Sequence, residues 1–318
     1  MNELKECAEI ALRECLNLRR LEQLLIICDS SCIEIGRAFY DAGEGKCKET
    51  IMVMLQSCKY DGNKLPEAIQ NLLIQFDVVV MPTLKSFASS CLVETNVPEQ
   101  GVRIATLPGI TNDSFLRTMK TDWRKLGVYT RKIAGKLNSA QKITISTEAG
   151  TSLNFQTGGH VASVDDGRIM SKGTFGNLPA GEACLIPLEG TAEGVLVIDG
   201  SFSLVEGMIK EPLILTFKEG NVIKAEGNRC TAELEKIFVK YRQSSRTLAE
   251  FGIGTHDTAV LCGNILEDKK VRGTAHFVIG DTLSNGSKDK FSIRLDAVLL
   301  QPSVWINDKL LIDHGEHM

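Results

Sequence analysis

Val78-Val79-Val80-Met81 is a run of four apolar residues without polar alternation, and three similar runs accompany it: Leu24-Leu25-Ile26-Ile27, Ile51-Met52-Val53-Met54 and Val102-Arg103-Ile104-Ala105. A strand that buries one face alternates apolar with polar residues. A continuous run is the pattern of a strand covered on both faces, as in a parallel sheet flanked by helices. The intervals supply those helices. Leu4, Cys7, Ala8, Ala11, Leu12, Cys15 and Leu16 recur at three- and four-residue spacing, and residues 31–42 and 65–73 are also helix-like. The first half therefore reads as an N-terminal Rossmann-like α/β domain with a parallel sheet. It contains neither a GxGxxG nor a Walker-type loop, so its architecture implies no nucleotide.

Near residues 136–141 the pattern changes to period two, in Ile143 to Thr147, Val195 to Ile198 and Leu213 to Phe217. Turn signals such as Lys218-Glu219-Gly220-Asn221 and Asp165-Asp166-Gly167 separate these segments. A helix is expected over Ala232 to Ala249. Strands then follow at Thr274 to Ile279, Phe291 to Leu300 and Val304 to Ile312, the last bent at Asn307-Asp308. The expected organisation is an α/β domain over 1–141 and a C-terminal, β-rich α+β domain over 142–318. No internal repeat or low-complexity tract is present.

The 318 residues carry a net charge of −4, with 43% hydrophobic and 24% charged residues. This balance is that of a folded protein and gives no electrostatic reason to expect nucleic acid. The basic segment from Arg117 to Lys136 is mixed with apolar residues and reads as a solvated helix face. No apolar stretch approaches the roughly 20 residues of a membrane span. The first residues lack a signal-peptide apolar run, so a cytoplasmic protein is expected. Ten cysteines are present without a CxxC pair. They read as reduced, small buried hydrophobes, with no thiolate metal site expected.

The histidines are His160, His256, His276, His314 and His317, and no two of them have HxH or HxxxH spacing. Alone, His276 reads as a hydrogen-bonded core histidine in an apolar strand. Three carboxylates alter that reading. Glu182 follows the structure-breaking Asn177-Leu178-Pro179-Ala180-Gly181 and is expected at a loop-to-strand junction. Glu250 is expected at the end of the long helix. Asp296 lies within an apolar strand, where an unpaired carboxylate costs several kcal/mol and calls for a metal or a cationic partner.

The segments around these residues resemble the thermophilic aminopeptidases of the T/S type. They are Asn177-Leu178-Pro179-Ala180-Gly181-Glu182, Leu188-Glu189-Gly190-Thr191-Ala192-Glu193-Gly194, Ala249-Glu250-Phe251-Gly252-Ile253-Gly254-Thr255, Gly263-Asn264-Ile265-Leu266-Glu267-Asp268, Gly273-Thr274-Ala275-His276 and Arg294-Leu295-Asp296. That family also resembles iron-dependent, ring-cleaving dihydroxypyridine dioxygenases. The resemblance implies that Glu182, Glu250, His276 and Asp296 are metal ligands, with Glu250 or a neighbouring carboxylate as general base, and that the protein is a homodimer. In the peptidases two divalent ions share such a site.

Three positions depart from the pattern: Arg294 stands for a histidine, Leu283 stands for a tyrosine, and Lys85-Ser86-Phe87-Ala88-Ser89-Ser90 lacks a histidine. Three carboxylates balance one divalent ion plus the Arg294 guanidinium, so at most one zinc, cobalt, manganese or iron per chain is expected. Residues 294 and 296 share a strand face, which places Arg294 in the site, within hydrogen-bonding reach of at least one of Glu182, Glu250 and Asp296. His256 and Asp281 are alternative ligands, and His160 could line the cleft. The leading expectation is a metal-dependent, aminopeptidase-like hydrolase acting on a peptide or small molecule. A non-catalytic binding protein of the same fold and a mononuclear iron ring-cleaving dioxygenase are the alternatives.

Overall fold

A computed structural model describes residues 2–57, 64–88, 91, 97–281 and 293–318. Leu283, Ser89, Ser90 and the first residues of the strand expected from Phe291 lie outside the described residues.

The chain divides into two compact units. The first comprises residues 1–127 and 165–180, and the second comprises 128–164 and 181–318. The division thus differs from a single break at 141: the helix α5 (Trp123–Asn138) contributes to both units, and one later segment returns to the first. That segment supplies a strand which no apolar run announced.

In the first unit, β1 (Gln23–Asp29), β2 (Glu49–Leu55), β3 (Val78–Thr83), β4 (Arg103–Pro108) and β8 (Phe175–Asn177) form one sheet in the order β2-β1-β3-β4-β8. Every pairing in it is parallel. The continuous apolar runs have the expected cause. Leu24, Ile26, Val78 and Val80 enter one buried cluster with α1 (Asn2–Ile10), α2 (Ile33–Gly43) and α4 (Asn112–Thr118). Leu25, Ile27, Val79 and Met81 enter another, which includes Leu73 of α3 (Glu67–Leu73). Both faces of the sheet are covered, so neither can be polar.

The second unit holds two further sheets. One has the order β12-β11-β10-β6-β5-β16-β17-β18. Its strands are β5 (Lys142–Ser146), β6 (Ser152–Gln156), β10 (Glu193–Ile198), β11 (Leu213–Lys218), β12 (Asn221–Glu226), β16 (Ser303–Ile306), β17 (Lys309–Asp313) and β18 (Glu316–His317). The bend expected at Asn307-Asp308 is a two-residue hairpin turn in which both residues have positive φ, 47° and 65°. The other sheet has the order β15-β14-β13-β9-β7, from β7 (Ser163–Asp165), β9 (Glu182–Leu185), β13 (Leu248–Gly254), β14 (Ala275–Gly280) and β15 (Arg294–Leu299).

The helix expected over 232–249 is shorter. α6 covers Thr231–Tyr241 and ends where Arg242 takes a positive φ of 54°. Leu248 to Gly254 is strand β13, so Glu250 stands within a sheet rather than at a helix end. Helical spacing suggested otherwise because Leu248 continues the apolar stripe of α6, although it is buried as part of the strand.

Candidate metal centre

The site is one face of β9, β13, β14 and β15. Pairing aligns Cys184 with Gly252 and Gly252 with His276; the next rows align Glu182 with Gly254, and Glu250 with Val278 and Asp296. Because side chains alternate along strands, Glu182, Cys184, Glu250, His276, Arg294 and Asp296 all project to that face. The reverse face carries Ala183, Leu185, Phe251, Ile253, Ala275, Phe277, Leu295 and Ala297, all in the core. A register shift between Leu248 and Glu250 sets this arrangement. The extra residue lets Leu248 point into the core while Glu250 joins the polar face.

Two glycines clear space. Gly181 has φ +117°, and a Cβ there would lie 2.9 Å from His256 Cβ; the chain can turn directly into Glu182 only with glycine at this position. Gly252 sits between Cys184 and His276. A Cβ at Gly252 would fall 2.1 Å from His276 Nε2 and 2.9 Å from Cys184 Sγ, so the imidazole occupies the volume of the missing side chain.

Glu182, Cys184 and His276 each offer a ligand atom, and these atoms lie within 4.8 Å of one another. His276 Nε2 is 3.4 Å from Glu182 Oε2 and 3.5 Å from Cys184 Sγ. All three residues are buried, and Glu182 Oε2 and His276 Nδ1 have no hydrogen-bond partner. Buried polar atoms left in this state are costly, and a metal ion is a natural occupant for the carboxylate oxygen. The O, S and N donors suit a single divalent transition metal. Among the described residues this is the one such group.

Cations hold the remaining carboxylates. Lys270, fully buried, lies 2.6 Å from Glu182 Oε1. Lys269 Nζ is 3.8 Å from Glu182 Oε1 and 3.4 Å from Asp296 Oδ1. Arg294 donates to Glu250 Oε2 at 3.0 Å and to the Asp281 carbonyl at 3.2 Å. Burial pushes the carboxyls of Glu182 and Asp296 upward, but the neighbouring cations outweigh it and hold both below the ordinary range, with Lys269 acting on each. Burial would likewise lower the Lys269 ammonium, yet Glu182 and Asp296 raise it and keep it charged. The His276 imidazole is lowered because burial outweighs the attraction of Glu182, leaving the ring neutral, as a metal ligand must be.

The four ligands carried over by resemblance therefore separate into two pairs. Glu182 and His276 meet, while Glu250 and Asp296 lie outside the close donor group and are engaged by Arg294 and Lys269. Cys184 joins the donors, contrary to its reading as a mere hydrophobe. Cys184 stands two residues after Glu182 on β9, but His276 and the two lysines reach these residues from distant parts of the chain. The sequence signal available was two adjacent lysines after Glu267-Asp268, next to a strand too apolar to leave them solvated.

His256 is buried elsewhere, its Nδ1 accepting from the amides of Thr258 and Ala259. His160 is exposed with Nδ1 2.8 Å from the Ile186 carbonyl oxygen, His314 is exposed beside Asp313, and His317 is half-buried against Tyr129. A cavity of about 620 Å³ is lined by His160, Leu188, Leu248, Gly280 and Asp281, among others. It opens at the Leu248 end of β13, whereas Glu182 pairs at the Gly254 end. Among the described residues no helix is long and apolar enough to cross a membrane.

Comparison with known proteins assigns the family. The family described as NicX, 2,5-dihydroxypyridine 5,6-dioxygenase, matches residues 48–318. Among curated proteins there is no match. The solved structure of 2,5-dihydroxypyridine dioxygenase from Pseudomonas putida KT2440 superposes with a TM-score of 0.81 at 18% identity, covering 99% of this chain and 96% of that one. Wild-type AmpT from Thermus thermophilus superposes with a TM-score of 0.73 at 13% identity, covering 100% and 99%. At such identities these two structures speak for the fold alone. The expectation of an aminopeptidase-like hydrolase is overturned by the family match, while the fold is one that superposes on both solved structures. The chain belongs to the 2,5-dihydroxypyridine 5,6-dioxygenase family.

Proposed function

We propose that the protein is a ring-cleaving dioxygenase acting on a dihydroxylated aromatic ring, with a dihydroxypyridine as the first substrate to test. The observation that carries this reading is the buried group of Glu182 Oε2, Cys184 Sγ and His276 Nε2, with an unpartnered carboxylate oxygen and room made by Gly252. Glu182 and His276 would hold one divalent ion, iron for this chemistry. When bound, the ion supplies a site at which dioxygen and an electron-rich ring can react.

The protein's own groups would serve the substrate. The ammonium of Lys269 and the guanidinium of Arg294 offer donors to ring oxygens, and both remain charged throughout the working pH range. Glu250, with one oxygen on Arg294, has a second oxygen able to accept a hydroxyl proton. The apolar reverse face of the sheet fixes the strands that carry Glu250 and Arg294, so their spacing does not depend on substrate.

The test is oxygen uptake by anaerobically purified protein loaded with ferrous iron and given 2,5-dihydroxypyridine. Iron-dependent uptake together with loss of the ring chromophore is expected, and both should vanish in His276→Ala. Iron-loaded protein that consumes no oxygen with this or other dihydroxylated rings would overturn the proposal.

A further inference from the structure

Cys184 is the donor that neither the resemblance nor residue spacing selects, and its placement bears on the charge of the whole site. Glu182, Glu250 and Asp296 contribute three negative charges, and Lys269, Lys270 and Arg294 contribute three positive charges, each cation in contact with a carboxylate of the set. His276 is neutral. Without a metal the site is thus balanced, and a divalent ion would leave two uncompensated positive charges in a buried face. Such an excess is unfavourable unless a ligand brings negative charge with it.

We infer that Cys184 binds the metal through sulfur, as the thiolate, and supplies that charge. Its sulfur lies 3.5 Å from His276 Nε2 and within 4.8 Å of a ligand oxygen of Glu182. Gly252, aligned with both Cys184 and His276, leaves no side chain between them. The buried Glu182 Oε2, which has no hydrogen bond, completes the group independently of the cysteine. A thiol loses its proton on coordination, here to solvent, leaving a single excess charge that an anionic ring oxygen of the substrate can cancel. A site of one sulfur, one nitrogen and one oxygen prefers zinc, ferrous or cobaltous ions to magnesium or manganese.

The inference rests on the proposed single-metal centre, and cobalt spectroscopy separates the two. Cobalt added to metal-free protein should give a thiolate-to-cobalt charge-transfer band in the near ultraviolet that saturates at one ion per chain. Cys184→Ser should lose the band and weaken cobalt binding by more than about tenfold; Cys262→Ser, at an exposed cysteine, should keep both. X-ray absorption of wild-type protein holding one zinc should show a sulfur neighbour at about 2.3 Å, which tests the inference without a variant. One cobalt bound without the band, or a band that survives in Cys184→Ser, overturns the cysteine ligand while oxygen uptake can still uphold the dioxygenase. A band without oxygen uptake does the reverse, and failure to bind any ion overturns both.

Discussion

The two faces of the β15-β14-β13-β9-β7 sheet are built from alternate residues of the same strands and obey opposite rules. On one face, Phe251 lies between the rings of Phe155 and Phe277, at 5.5 and 5.3 Å. Each contact there is a small gain of the same sign, so a lost side chain costs its own packing and the cavity it leaves. On the other face, three carboxylates and three cations are closely placed, and each carboxylate has a cation beside it. Burial of apolar surface is close to additive, whereas buried charge is mutual. The difference predicts which substitutions can be rescued by a second one.

The largest expected effect is on the apolar face. Phe251→Ala should lower stability by about 3–5 kcal/mol, the usual range for a fully buried phenylalanine, read from the midpoint of chemical denaturation. No second substitution on the polar face should recover it. A loss below about 1 kcal/mol would mean that this face is not the packed core described here.

Lys270→Met comes next. It removes the cation nearest to Glu182 and should cost about 3 kcal/mol, because a buried carboxylate is left partly uncompensated. Adding Glu182→Gln removes that charge and should recover at least half of the loss. Should the two losses simply add, the ion pair contributes nothing of its own, and the contrast between the faces fails.

How far the sequence revealed this contrast depends on distance along the chain. Asp296 and Arg294 announce themselves, being charged residues two apart in one apolar strand, and their common face follows from strand alternation. The parallel strands were equally legible, since both-face burial makes continuous runs such as Val78 to Met81. Glu250 was misplaced because Leu248 extends the stripe of α6, and only the bulge beside it assigns its face. Lys269 and Lys270 are not legible because their partners lie on strands elsewhere in the chain, and Cys184, although two residues from Glu182 on β9, is not because its contact with His276 joins distant strands. The chemistry was misread for a related reason. The chain superposes on both a dioxygenase and AmpT, so motifs that report the fold do not choose between their reactions.

Acid should act on the polar face alone. Folding holds the carboxyl of Glu182 below its unfolded value near 4.3. The unfolded chain therefore binds more protons across that interval. The stabilisation is complete above the unfolded value and is lost as pH falls toward the folded one. Chelator-treated protein should thus lose stability below about pH 4.3, with a slope of at most about 1.4 kcal/mol per pH unit for this group. Glu182→Gln should flatten that slope in denaturation series taken at successive pH values. An unchanged slope would remove Glu182 from the acid response.

The smallest effect is expected at Arg294, because its ion pair is the least buried of those on the polar face. The side chains of Arg294 and Glu250 are 22% and 21% exposed, so water shares in solvating both ends. Arg294→Ala should cost about 1 kcal/mol, above a surface pair and well below the Lys270 contact. Arg294→Lys should recover only part of this. A lysine keeps the charge, but it lacks the planar fork that reaches Glu250 and the Asp281 carbonyl together. A double-mutant cycle with Glu250→Gln measures the pair directly. Coupling near zero would make Arg294 a bystander of the charge balance, whereas coupling as large as that of Lys270 with Glu182 would place the whole face in one network despite its unequal exposure.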